Sequence, residues 1–235
     1  VTTTAIPDAA FEQELINLGY DSGVIDGSVI TANIASVTTL NLSYLGIEQL
    51  DGIEDFAALE NLTFQGNNAN IITLNLPTLA NLKILYVGNF PNLNSIDVSN
   101  LALLEDATFQ GLTSFVSLDV SSNSNLLKLN VSGSTNLATL NFTNLMNLEE
   151  LSLVNSTAIT SLDFSTLTGL KKIHLQDYTA LSTIITNNLA NLEMLSTAGL
   201  SSITSIDLST NTGLKNLILT NSTQLSSLSI KSGNT

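Results

Sequence analysis

The sequence predicts an α/β repeat solenoid: 22-residue coils, each made of two 11-residue halves that are mostly β, behind a short N-terminal helical cap. Three observations carry that expectation. A Leu-x-Leu block begins at Leu85 and returns every 22 residues at Ala107, Leu129, Leu151, Ile173, Leu195 and Leu217, with Leu62 and Leu40 upstream after one interval of 23. A second apolar series lies halfway between, at Leu74, Ile96, Leu118, Leu140, Leu162, Ile184, Ile206 and Leu228. Charged residues are only 11% of the chain, so Ser, Thr and Asn must cover the outside of a long apolar core.

The expected domain plan is a cap over 1–39 and a solenoid of about nine coils over 40–235, one structural domain because neighbouring coils share a core. In the cap, Ile6-Pro7-Asp8 opens a helix whose free N–H groups Asp8 can cap. Phe11, Leu15 and Leu18 form its apolar face, and Gly19 suits its left-handed end. Such a helix covers the first coil, whose core would otherwise open to water. Asp21 and Asp26 lie in a turn whose spacing does not match a calcium-binding EF-hand loop, so turn chemistry is the first reading and calcium the alternative.

From Leu74 the two halves become nearly symmetrical, as in Ser117-Leu118-Asp119-Val120-Ser121 followed by Lys128-Leu129-Asn130-Val131-Ser132. Apolar-polar-apolar alternation turns both large side chains inward, so both sides of a coil should be short parallel strands with few helices after the second coil. Stacked strands make outward columns. On the second side the middle column includes Asp97, Asp119, Asn141, Asp163 and Asp207, read as a water-facing hydrogen-bonded ladder, with a divalent cation near Asp97 and Asp119 as the alternative.

On the principal side the column before each Leu runs Ile84, Asp106, Lys128, Glu150, Lys172, Met194 and Asn216, alternating in sign over four coils, which suits cross-strand pairing. The middle column contains Tyr86 and His174, the only histidine. Asp177 stands close enough in sequence to reach the imidazole, but no activated nucleophile accompanies it, and a flat sheet shelters nothing from water. Tyr86, Lys128, Glu150, Lys172, His174, Asp177 and Tyr178 are therefore candidate ligand contacts, with no catalytic or metal residue among them.

Gly52-Ile53-Glu54-Asp55-Phe56 and the spacing Leu59, Leu62, Phe64, Asn67 resemble the internalin-type leucine-rich repeat, with Asn67 at the position of that family's asparagine ladder, a position mostly lost afterwards, where Phe90, Leu112, Ser134, Ser156, Tyr178, Leu200 and Ser222 follow. With the opening Ile6-Pro7-Asp8-Ala9-Ala10-Phe11-Glu12 and the recurrent Ser-Leu-Asp-Val-Ser, the chain resembles, over nearly its whole length, extracellular leucine-rich repeat proteins of the Bacteroidetes type. The resemblance implies an exported, cell-surface or secreted interaction protein. That family often carries a C-terminal sorting region, whereas this chain stops at Thr235 after half a coil.

Composition narrows the partners. The formal net charge is −14, there are six lysines and no arginine, and residues 1–60 hold ten acidic residues without one basic residue. No basic stripe can displace counterions from a nucleic-acid backbone, so DNA and RNA are excluded as expected partners. No apolar run approaches the ~20 residues that cross a bilayer. Absence of cysteine removes disulfides and thiolate metal sites. The expectation is a non-enzymatic binding module without a cofactor. Its partner is a protein, with carbohydrate adhesion or a structural spacer as alternatives, and it is a monomer or a weak end-to-end dimer through its last coil.

Overall fold

The computed structural model describes residues 1–77 and 79–231. The cap consists of strand β1 (Thr3–Ala5), helix α1 (Ala9–Asn17), strand β2 (Ser28–Ile30) and a short helix α2 (Thr31–Ile34). β1 and β2 pair antiparallel, which the sequence did not announce. The coils then alternate long and short strands: β3 (Thr39–Ser43), β4 (Asn61–Gln65), β5 (Thr73–Asn75), β6 (Ile84–Gly88), β7 (Ser95–Asp97), β8 (Asp106–Gln110), β9 (Ser117–Asp119), β10 (Lys128–Ser132), β11 (Thr139–Asn141), β12 (Glu150–Val154), β13 (Ser161–Asp163), β14 (Lys172–Gln176), β15 (Thr183–Ile185), β16 (Met194–Ala198), β17 (Ser205–Leu208), β18 (Asn216–Thr220) and β19 (Ser227–Ile230).

The long strands form one parallel sheet of nine in the order β3-β4-β6-β8-β10-β12-β14-β16-β18. Register follows the repeat, so Lys128 faces Glu150 and Glu150 faces Lys172, while Ser152 faces His174. The short strands do not make a matching second sheet. They pair two by two, β5 with β7, β9 with β11, β13 with β15 and β17 with β19. Among the described residues the only helical turn beyond the cap is a single 3-10 turn at Ile53–Asp55. Between the two sides lies a continuous apolar column, with Leu40, Leu62, Leu85, Ala107, Leu129, Leu151, Ile173 and Leu195 all at most 2% exposed. In the last coil Ile218 and Ile230 stand 45% and 59% exposed.

Each long strand but β4 ends in a residue of positive φ: Tyr44, Asn89, Gly111, Gly133, Asn155, Asp177, Gly199 and Asn221, between 54° and 69°. Glycine, asparagine and aspartate populate that left-handed region most readily, which explains their recurrence every 22 residues. The kink turns the chain out of the sheet while its amide still reaches the next coil, as Asn89 N does to the Gln110 carbonyl at 2.7 Å.

The asparagine ladder is present, but not where Asn67 suggested. Asn67 is exposed, and its neighbour Asn68 donates to the Gly46 carbonyl at 3.3 Å. The later equivalents of Asn67, Phe90 through Leu200, are buried core. The ladder has moved to the turns. Asn81, Asn125, Asn147 and Asn191 each donate Nδ2 to a backbone carbonyl of the preceding coil at 2.8–3.0 Å. Asn123 and Asn211, both buried, each donate to two carbonyls there. Buried carbonyls left free by irregular turns need such donors, so the ladder satisfies backbone rather than decorating it.

In the cap the helix begins at Asp8 as expected, but its buried face differs. Leu18 is 45% exposed, whereas Glu12 is fully buried and its carboxylate accepts from the amides of Asp26 and Gly27 at 2.7 and 2.8 Å. Asp26 accepts in turn from the amide and hydroxyl of Ser28, so turn chemistry occupies it.

The aspartates of the second side are likewise spent locally. Asp97, Asp119, Asp163 and Asp207 each accept from the amide two residues ahead at 2.9 Å, and Asn141 joins Asp119 at 2.9 Å. The hydroxyl and amide of Ser99, and likewise of Ser209, hold the Asp97 and Asp207 carboxyls below the usual range. At Asp119 burial pulls upward, yet Ser121 and Asn141 outweigh it and the net shift is downward. A carboxyl lowered in the folded state adds stability above its unfolded pKa, roughly 3.9, and loses it as pH falls through the folded value. Urea midpoints should therefore drop below about pH 4, and the triple variant Asp97→Asn, Asp119→Asn, Asp207→Asn should flatten that slope. An unchanged slope in the variant would refute this account.

Candidate functional site

The outward face of the nine-stranded sheet carries a shallow groove of about 420 Å³ across β8, β10, β12, β14 and β16. Its centre is a column of short side chains, Thr108, Asn130 and Ser152, and one margin is the row Asp106, Lys128, Glu150 and Lys172. Strand alternation explains the shape, since small residues at one outward position and long charged ones two residues earlier leave a trough between them. His174 lies at one end, half-buried, with Nδ1 3.3 Å from the Ser196 hydroxyl.

Glu150 sits between two lysines, 2.8 Å from Lys172 and 3.8 Å from Lys128. Hydrogen bonding from Lys172 holds its carboxyl low. Burial instead pushes the Asp106 carboxyl up, against the pull of Lys128. A second ladder one residue earlier escaped the sequence reading: Glu60 with Lys83 at 3.3 Å, Glu149 with Lys171 at 2.7 Å and Glu193 with Lys215 at 2.9 Å. Its signal was available in the 22-residue spacing from Glu149 to Lys171. Exposed pairs of this kind each contribute about 0–1 kcal/mol, so they set register and surface pattern more than stability.

Of the seven candidate residues, the structure gathers Lys128, Glu150, Lys172 and His174 around the groove. Tyr86 lies outside it on β6, where its hydroxyl donates to Gln110 Oε1 at 2.9 Å. Asp177 does not touch His174. Its left-handed backbone, φ 57°, turns the side chain aside, and it accepts from Gln176 Nε2 at 3.1 Å. Tyr178 is not a surface residue: it is 0% exposed, and burial raises its hydroxyl well above the ordinary tyrosine range. It cannot meet a ligand.

Among the described residues no carboxylate bonds to His174, so the orienting partner of a base-and-nucleophile site is not in place. No three His, Asp or Glu residues among them come together as a metal site. None of their helices is long and apolar enough to cross a membrane.

Residues 30–123 match a family described as the endo-β-N-acetylglucosaminidase EndoS leucine-rich repeat domain. Among solved structures, the chain is similar to an internalin, InlF, of Listeria monocytogenes: 18% identity, 95% of each chain, TM-score 0.50. It is also similar to internalin C2 of that species: 22% identity, 94% of this chain and 97% of that one, TM-score 0.51. A third is the leucine-rich repeat domain of the type III effector XopL: 18% identity, 95% and 82% covered, TM-score 0.50. No curated protein matches the chain in sequence. The fold is that of a leucine-rich repeat protein. It is similar in fold to the internalins, and among the described residues beyond the cap it has strands on both sides of the coils and a single helical turn.

Proposed function

We propose that this chain is a non-enzymatic protein-binding module, exported by a bacterium to its surface or surroundings, which engages its partner through the groove on the long sheet. The observation that carries the reading is the groove itself. It is a rigid trough floored by short polar side chains and edged by a row of both charge signs, with His174 at its end. Protein recognition by a stiff solenoid face sums many shallow contacts, and alternating charge selects a partner by its own charge order more than it adds affinity. The family match and the internalin-like fold support the binding-module part, and the chain's many Ser, Thr and Asn residues suit a surface exposed to water.

The test is a screen against a defined set of purified cell-surface ectodomains, repeated with Glu150→Lys. Reversing the central charge leaves three consecutive lysines in the row and should weaken a groove-bound partner by roughly tenfold to a hundredfold, about 1.4–2.8 kcal/mol. A partner that binds Glu150→Lys as tightly as the unmodified chain would remove the groove from the reading.

A further inference from the structure

We propose a second binding site, for a neutral oligosaccharide, at the far rim of the long sheet over its first four strands. It adjoins the β8 end of the charged groove, where Tyr86 is in register with Thr108, but uses none of the groove's charged residues.

The starting point is Tyr44. Of the eight strand-end positions with positive φ, seven are Asn, Gly or Asp, and Tyr44 alone puts a bulky aromatic there, at φ 59°. Such strain persists only where surrounding contacts hold it, and it gathers at sites that do work. The contact holding it is visible. The Tyr44 hydroxyl accepts from Asn89 Nδ2 at 3.0 Å, two coils away, so the ring lies across the coil between. That coil carries Gly66 at the equivalent position, beside the Tyr44 backbone and the buried Phe90 ring. The ring remains 60% exposed.

Tyr86 is laid down in the same way. Its ring covers Gly88, where a Cβ would come within 2.8 Å of the ring carbon Cε1, and its hydroxyl reaches Gln110 at 2.9 Å. The two phenols are close enough that Tyr44 raises the Tyr86 hydroxyl further, after burial. Between and beside them runs a chain of amides. Gln65 donates to Ser43 at 3.1 Å, and Asn89 donates to Gln65 at 3.4 Å. Over four strands the patch extends about 14 Å, long enough for an oligosaccharide.

The chemistry selects the occupant. Two flattened aromatic rings offer apolar faces to the C–H face of a pyranose. Rigid phenols do so at little cost in conformational entropy. Asn and Gln amides present a donor and an acceptor together, the complement of vicinal hydroxyls. No charged side chain belongs to the patch, and the neighbouring residues 1–60 hold ten acidic residues and no basic one, which disfavours anionic sugars.

The test is calorimetric titration and affinity electrophoresis with neutral linear oligosaccharides of glucose, mannose, galactose and N-acetylglucosamine, with uronic-acid and sialylated oligosaccharides in parallel. Tyr44→Asn is the decisive variant, because asparagine suits the left-handed backbone and already occupies this column at Asn89, Asn155 and Asn221. It should melt no lower than the unmodified chain yet weaken neutral-sugar binding about tenfold or more, as should Tyr86→Leu. Glu150→Lys should leave sugar binding unchanged. Failure of the unmodified chain to bind any neutral oligosaccharide, equal binding by Tyr44→Asn, or a preference for the acidic sugars would each overturn the proposal. So would loss of a protein partner, rather than a sugar, in Tyr44→Asn.

Discussion

Tyr178→Ala is expected to cost about 3–5 kcal/mol of stability, the range for emptying a buried aromatic site, and to lower the melting temperature by roughly 10 °C. The reason is volume within one column of the core. Successive coils place Phe90, Leu112, Ser134, Ser156, Tyr178 and Leu200 there, all at most 1% exposed. Two serines in adjacent coils leave room, and the Tyr178 ring fills it, with its hydroxyl beside Ser156. The Ser156 hydroxyl is committed to the Leu137 carbonyl at 2.7 Å, and the phenol meets it without the geometry of a full hydrogen bond. Tyr178→Phe should therefore be neutral or slightly stabilising, since it keeps the ring and removes an ill-satisfied polar atom. Denaturant titrations of the two variants decide it. An alanine variant as stable as the parent would mean that the ring does not fill the core.

Asp8→Ala is expected to loosen the cap at a cost of about 3 kcal/mol. One carboxylate serves two structures. Oδ1 accepts from the amides of Ala10 and Phe11, both at 3.0 Å, and so starts helix α1. Oδ2 accepts from the amides of Glu48 and Gln49 at 2.8 and 3.2 Å, and so ties that helix to the first coil. Alanine leaves four amides without this partner, two of them at a helix start, where a lost cap alone costs about 1 kcal/mol. Asp8→Asn should fall between, because an amide keeps one accepting oxygen and cannot replace both. Amide exchange over residues 1–39 should accelerate in the order alanine, asparagine, parent, while the central coils change little. Uniform acceleration along the chain would show instead that the cap and coils open as one unit.

Sequence periodicity made the architecture legible because a 22-residue coil repeats its burial demand at the same positions, and each repetition reinforces the others. Parallel strands, inward Leu-x-Leu pairs and the Asp8 cap follow from side-chain alternation and local hydrogen bonding, which depend on near neighbours. Part of the candidate site was legible for the same reason: Lys128, Glu150 and Lys172 share a column, and a column is a statement about spacing. Where the reading failed, the cause lay beyond spacing. Tyr178 and Asp177 follow strand β14, and a left-handed residue redirects the chain between sheet and turn, so alternation no longer says which way a side chain points. Tyr44 was overlooked because its meaning lies in an asparagine two coils away.

The sequence by itself therefore determined the repeat, the inward columns and the absence of a basic face, all of which are sums over regularly spaced residues. Only the tertiary structure decided which of the outward residues meet. It set His174 against Ser196, sank Tyr178 and Glu12 into the core, and laid the asparagines of the turns on carbonyls of the preceding coil. Those outcomes depend on volume filled and backbone atoms satisfied across coils, and neither quantity is carried by any one repeat.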